Sequence, residues 1–337
     1  MKVNEYDYYL DKALIAQSPL DKRDASRLLV LDRKTGKITH KHFYDILDYL
    51  EENDVLVINN TKVLKARMFG KKDVTNAKIE LLLLEEVSKD TWDALTKPQR
   101  RIKIGDVVLF DNLKAECICV KEEGINTYRM IYDGVFLEVL DNIGIMPTPP
   151  YIHKKLKEQD RYQTVYSNML GSSAAPTAGL HFTEDLIKRI KEKGIEIIEI
   201  TLHVGLDTFR PISVDDIEDH IMHKEKYFIS EEACKRLNEA VKNKKNIVAV
   251  GTTSVRTLEA NYNNGFHSGR FETGIFIYPP YKFKVVDKLI TNFHLPKSTL
   301  LMLVSAFAKK EFIFKAYAEA IKNEYRFFSF GDAMFIK

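Results

Sequence analysis

Three cysteines in 337 residues are too few for a disulfide framework. Cys117 and Cys119, two apart in a strand-like run, are expected on opposite faces of a sheet, and Cys234 lies in a distant helical pattern, so zinc-knuckle and iron–sulfur sites are disfavoured and no metal is expected. Glycine (15) and proline (10) are too scarce for collagen or low-complexity sequence. No apolar run approaches the roughly 20 residues of a membrane span. The opening Met1-Lys2-Val3-Asn4-Glu5-Tyr6-Asp7 is too polar and acidic for a signal peptide, so a cytoplasmic location is expected. An excess of one charge is missing too: 51 Lys and Arg face 48 Asp and Glu, for +3, which speaks against a general polyanion binder. What is present, 45% apolar residues, is ample for a large globular core.

Apolar runs at 28–32 and 54–58 read as strands, with an amphipathic segment at 43–50 between them. From about 67 to 146 short β-like runs (79–84, 92–95, 107–110, 115–120, 127–132) recur every dozen or so residues, which predicts a small all-β barrel or sandwich. Pro147, Pro149 and Pro150 then punctuate the chain. Beyond them strands at 195–202, 247–250, 275–278 and 288–291 alternate with helices at 184–193, 231–243, 254–261 and 299–309, three of them capped by Thr183, Ser230 and Ser298. The fold class expected is α/β: a mostly parallel sheet with covering helices in a discontinuous domain, 1–66 and 147–337, carrying an inserted small β-barrel at 67–146.

Parallel sheets place their sites beyond the carboxyl ends of their strands. Four strand ends here are rich in small and hydrogen-bonding groups: Asn59-Asn60-Thr61-Lys62, the stretch from His203 to Phe209, Gly251-Thr252-Thr253-Ser254-Val255-Arg256, and Asn292-Phe293-His294. Gly251 permits a tight turn, and the helix start after it offers backbone N–H groups and hydroxyls to an anion, with Arg256 nearby. The turn has neither the lysine of a P-loop nor a glycine triplet, so neither a nucleoside triphosphate nor NAD is indicated. Residues 174–183 form a loop of small residues suited to close approach of a flat ligand, with His181 beside it as a proton-transfer candidate. His220 and His223, three apart and beside Glu218 and Asp219, would share a helical face. No third metal ligand is fixed there and the zincin spacing is absent, so the group reads equally well as a proton-handling cluster. No Gly-x-Ser-x-Gly elbow exists.

In order, these segments resemble the S-adenosylmethionine:tRNA ribosyltransferase-isomerase family of the queuosine pathway. The blocks that carry the resemblance include Leu14-Ile15-Ala16-Gln17, Ser26-Arg27-Leu28-Leu29, Tyr162 to Ser167, Ala174 to Thr183, Thr201 to Gly205, Glu218 to His223, Gly251 to Glu259, Thr291 to Pro296 and Arg326 to Met334. Three positions depart from the family pattern: Asp207 and Lys309 replace usual glycines, and Lys62 a usual arginine. The resemblance implies an α/β body with an inserted β-barrel. It also implies that the ribosyl group of S-adenosylmethionine is transferred and isomerised onto 7-aminomethyl-7-deazaguanine at the wobble position of tRNA, giving epoxyqueuosine, adenine and methionine. S-adenosylmethionine is then a consumed substrate, with no resident cofactor and a monomer expected. On that reading His181, His203 and His294 are candidate acid–base groups, Thr252, Thr253, Ser254 and Arg256 the anion anchor, and Asn59, Asn60 and Asn292 polar ligands to base or ribose. A non-catalytic RNA-binding protein is the rival reading; a conventional methyltransferase is disfavoured by the lack of a glycine-rich loop after the first strand.

Divided along the chain, the charge is 0 over 1–66, −2 over 67–146, 0 over 147–280 and +5 over 281–337. A basic C-terminal segment suits one folded tRNA region, with Lys282, Lys284 and Lys288 as expected contacts.

Overall fold

The computed structural model describes residues 1–154, 156–205 and 212–337. The chain divides into two compact units: Met1–Thr61 with Pro150–Met169 and Ala175–Lys337, and Lys62–Pro149 with Leu170–Ala174.

The larger unit is built on a nine-stranded sheet. At its centre Glu196–Leu202, Asp54–Asn59, Asn246–Val250 and Lys288–Asn292 run side by side and parallel. Every residue of Asp54–Asn59 is buried, as expected for a strand covered on both faces, which is why it reads as an unbroken apolar run. The flanks are different. Glu196–Leu202 continues antiparallel to Glu225–Ile229 and then Gly269–Thr273. On the other side Lys288–Asn292 pairs antiparallel with Ala333–Ile336, which runs parallel to Arg27–Leu31, itself antiparallel to Ile38–His42. The sheet is therefore mixed, with four parallel and four antiparallel pairings, and the expectation of a mostly parallel sheet is corrected. The strands missed lie largely in its flanks; no strand forms at 275–278, and the edge strand is Gly269–Thr273 instead.

The three helix caps form as the sequence predicts: the hydroxyls of Thr183, Ser230 and Ser298 accept from the amides of Leu186, Ala233 and Leu301 at 3.1, 3.1 and 3.2 Å. Lys309 lies at φ −51°, a value open to any residue, so replacing glycine there carries no backbone penalty. Asp207 lies outside the described residues. Among those described, no helix is long and apolar enough to cross a membrane.

The smaller unit contains a closed six-stranded barrel. Its strands alternate, as in Thr91–Lys97, where Trp92, Ala94 and Thr96 are buried. Cys117 is buried and Cys119 exposed, although regular alternation puts residues two apart on the same face. A bulge separates them: Tyr128 pairs with Cys117 and Thr127 with Cys119, leaving Ile118 as the extra residue.

Candidate active site

Because the four central strands are parallel, their carboxyl ends share one rim, and a cleft opens there. Its wall joins the small-residue loop (Ala175, Pro176, Thr177, Ala178) to the Gly251-Thr252-Thr253 turn and to Thr291, Asn292 and His294. Gly251 sits at φ +86°, the left-handed region that lets the chain turn from strand into the Thr252–Asn261 helix. That helix aims its amino end, with Thr252 and Thr253, at the cleft. Tyr151, Phe328 and Ser329 complete the wall, and the Tyr151 hydroxyl lies 2.7 Å from Ser329 Oγ. Phe328 holds φ +71°, a conformation that costs a bulky residue on the order of 1–3 kcal/mol and that clusters at functional sites. Among the described residues no Lys, Arg, Asp or Glu lines the cleft.

The three candidate histidines part company. His294 lines the cleft, and its Nε2 lies 2.9 Å from the Thr291 hydroxyl. Its backbone is pinned on both sides, the amide donating to the Tyr317 hydroxyl and the carbonyl accepting from the Tyr8 hydroxyl. Burial pushes the ring down to about 3, so it is neutral at physiological pH, and Nδ1 has no hydrogen-bond partner among the described residues. His181 is committed at both nitrogens. Asn292 donates to Nε2 at 3.0 Å, which puts the proton on Nδ1, 2.7 Å from Ser26 Oγ, and the ring stacks on Phe43. Burial, then the Arg326 and Arg23 charges, push it to about 3 as well. His181 lines a smaller neighbouring pocket rather than the cleft. His203 holds the Thr61 hydroxyl through Nδ1 at 2.8 Å and is pushed down by burial, then by Arg270 and Lys226.

The remaining candidates divide between wall and framework. Thr252 and Thr253 face the cleft, whereas Ser254 bonds back to the Val250 carbonyl at 2.7 Å. Arg256 is 2% exposed and turns away from the cleft to ion-pair with Glu225, its Nε donating to the Ile275 carbonyl. Burial alone would raise the Glu225 carboxyl, but His223 and Arg256 hold it below the ordinary range. The geometry thus moves the anion anchor from Arg256 to the helix amino end. Asn59 exchanges bonds with both backbone atoms of Leu202 at 3.0 Å, and Asn60 holds Glu199 and Thr201, so both amides staple neighbouring strands. Asn292 does line the cleft, but its amide is shared among His181, the Phe328 carbonyl and the Thr177 hydroxyl.

His220 and His223 do not share a helical face: the single helical turn ends at Asp219 and the chain then extends. His220 packs on Phe276 and His223 approaches Glu225 at 3.7 Å; among the described residues no group of three or more His, Cys, Asp or Glu is placed to hold a metal. Two of the expected RNA-contacting lysines are spoken for. Lys288 Nζ lies 2.8 Å from Asp54 and Lys284 Nζ donates to the carbonyls of Glu259 and Tyr262. Sequence reasoning missed Thr291 as the orienting group of His294, and it missed Tyr151 and Ser329 altogether; only the short spacing from Thr291 to His294 hinted at any of this.

The family described as queuosine biosynthesis protein matches residues 3–336. The chain belongs to this family. It is also similar to a crystal structure of S-adenosylmethionine tRNA ribosyltransferase from Thermotoga maritima, with 40% identity, coverage of 99% of this chain and 100% of that one, and a TM-score of 0.56. Among the described residues, the cleft wall has one imidazole, His294, held at Nε2 by Thr291, and no formally charged side chain.

Proposed function

We propose that the chain transfers and isomerises the ribosyl group of S-adenosylmethionine onto 7-aminomethyl-7-deazaguanine at the wobble position of tRNA, giving epoxyqueuosine and releasing adenine and methionine. Family membership over nearly the whole length supports the reaction class. S-adenosylmethionine is consumed as a substrate, no resident cofactor takes part, and the enzyme works as a monomer in the cytoplasm.

The observation that carries the chemistry is His294. His294 lines the cleft, its Nε2 lies 2.9 Å from the Thr291 hydroxyl and its Nδ1 is left for a substrate, so we assign it the removal of the proton next to the sulfonium, with Nε2 held by Thr291. Thr291 is a positioning residue. The amino end of Thr252–Asn261, with Thr252 and Thr253, receives the methionine carboxylate, because the aligned peptide dipoles favour a negative group there. Phe328 and Tyr151, packed on each other with centroids 5.0 Å apart and planes tilted by 53°, form an apolar end of the cleft against which a flat base packs.

Chromatographic detection of free adenine tests this reading. Adenine should appear only when S-adenosylmethionine and the modified tRNA are both present, and intact S-adenosylmethionine would leave a non-catalytic RNA-binding role.

A further inference from the structure

Beside the cleft lies a second, smaller pocket in the same unit, with Ser329 in the wall of both. Two of its lining side chains are arginines, Arg23 and Arg161, and they share it with Ser26 and His181. Neither has a carboxylate within 4.0 Å among the described residues. Their donors go only to backbone: Arg23 reaches the carbonyls of Leu180 and Asp160 at 3.2 and 3.4 Å, and Arg161 those of Asp21 and Leu20 at 3.1 and 2.5 Å. Arg161 Nε is buried with no partner. A third guanidinium, Arg326, holds the Ser18 carbonyl through Nη2 and leaves Nη1 buried and unpartnered; its charge, like that of Arg23, lowers His181, and Asp332 offsets part of its own desolvation.

Gathering like charges in a partly desolvated wall costs free energy unless an anion completes the set. The cost is visible: burial first and Arg161 second lower the Arg23 guanidinium from its ordinary value. Planar forks with spare N–H groups match the oxygens of a phosphodiester bidentately. We propose that Arg23 and Arg161, backed by Arg326, form a phosphate subsite that receives a backbone phosphate of the RNA adjoining the nucleotide whose base enters the cleft. This inference rests on tRNA being the substrate. Ser329 in the wall of both pockets places the subsite beside the cleft, and two guanidinium forks match the paired oxygens of a phosphodiester, whereas a free carboxylate would need only one.

The test compares wild type with Arg23→Gln, Arg161→Gln and the charge-retaining Arg161→Lys, first confirming by thermal melting that each folds, since these side chains also bind loop carbonyls. Affinity for a 7-aminomethyl-7-deazaguanine anticodon stem-loop is measured against salt, and affinity for S-adenosylmethionine by calorimetry. Each Gln variant should bind the stem-loop about tenfold more weakly or worse, with a shallower salt dependence, while S-adenosylmethionine affinity stays the same. Stem-loops carrying one neutral methylphosphonate should show the same loss in wild type at one linkage beside the wobble nucleotide, and no further loss in the Arg23→Gln/Arg161→Gln double variant. Weaker S-adenosylmethionine binding with unchanged RNA binding would overturn the proposal in favour of the substrate carboxylate, and unchanged affinity for both would make the cluster purely structural. Wild-type enzyme that releases adenine while the arginine variants bind RNA normally refutes the subsite alone; wild-type enzyme that neither binds the stem-loop nor releases adenine refutes the functional reading itself.

Discussion

His181 and His294 are the two imidazoles that burial pushes from 6.5 to about 3, and together they give the larger unit a stability that depends on pH. In the folded protein both stay neutral down to that range, whereas in the unfolded chain they take up protons near 6.5. The unfolded state therefore binds more protons below 6.5, so stability is full above that value and falls as the pH drops towards 3. From pH 7 to pH 5 each imidazole should cost about 2 kcal/mol, roughly 4 for the pair, a large share of the 5–15 kcal/mol of an ordinary domain. The figure at pH 5 depends on the unfolded value and only requires the folded one to lie well below 5. His203 and His220 are pushed in the same direction and add to the loss. Carboxyls held low, such as Glu225, lose their contribution only as pH falls through their folded values, below about 4.5, so they do not enter this window. Urea titrations followed by far-ultraviolet circular dichroism at pH 7, 6 and 5 measure the effect. The barrel supplies an internal control: no histidine lies in 62–149 or 170–174, and the single tryptophan, Trp92, is there. Its fluorescence should report a transition that does not move over the same range. The His294→Gln variant should lose about one proton of the pH slope. A urea midpoint for the larger unit that is flat from pH 7 to pH 5 would refute the account of both buried rings.

Other perturbations follow from single contacts. The His294→Gln variant should fold at pH 7.5 and turn over S-adenosylmethionine roughly two to four orders of magnitude more slowly, and Thr291→Val should lower kcat more than it changes KM; near-normal rates in single-turnover assays would remove His294 from the chemistry. The Arg256→Gln variant strips the counterion from buried Glu225 and should cost about 3–5 kcal/mol in urea denaturation, while calorimetry on the folded protein should find S-adenosylmethionine affinity unchanged. A Cβ at Gly179 would lie 2.1 Å from the Tyr166 hydroxyl and 2.8 Å from Thr164 Cγ2, so Gly179→Ala should lower stability by about 1–3 kcal/mol, visible as a lower midpoint in the same titrations.

The central strands, the barrel and three helix caps were legible because each rests on a local signal: a buried apolar run, short β-like runs recurring every dozen or so residues, a hydroxyl three residues ahead of an amide. The mixed character of the sheet was not, because strand direction is set by pairing between distant segments such as Lys288–Asn292 and Ala333–Ile336. The same limit applies to the site. Residue type and position after a strand brought Thr252, Thr253, Asn292 and His294 to the cleft wall, but they could not show that Arg256 turns inward to Glu225 or that Asn59 and Asn60 spend their amides on neighbouring strands. Side-chain partnership is a tertiary property, and Arg23 and Arg161 were hidden for that reason: 138 positions apart in the chain, they share one small pocket.

The most direct test of the central claim follows two labels on S-adenosylmethionine, one in the ribose and one in the methyl group, during incubation with tRNA bearing 7-aminomethyl-7-deazaguanine. The ribose label should enter the RNA while the methyl label leaves in free methionine, with adenine released in equal amount. Methyl label in the RNA, or ribose label that stays in intact S-adenosylmethionine, would contradict that claim.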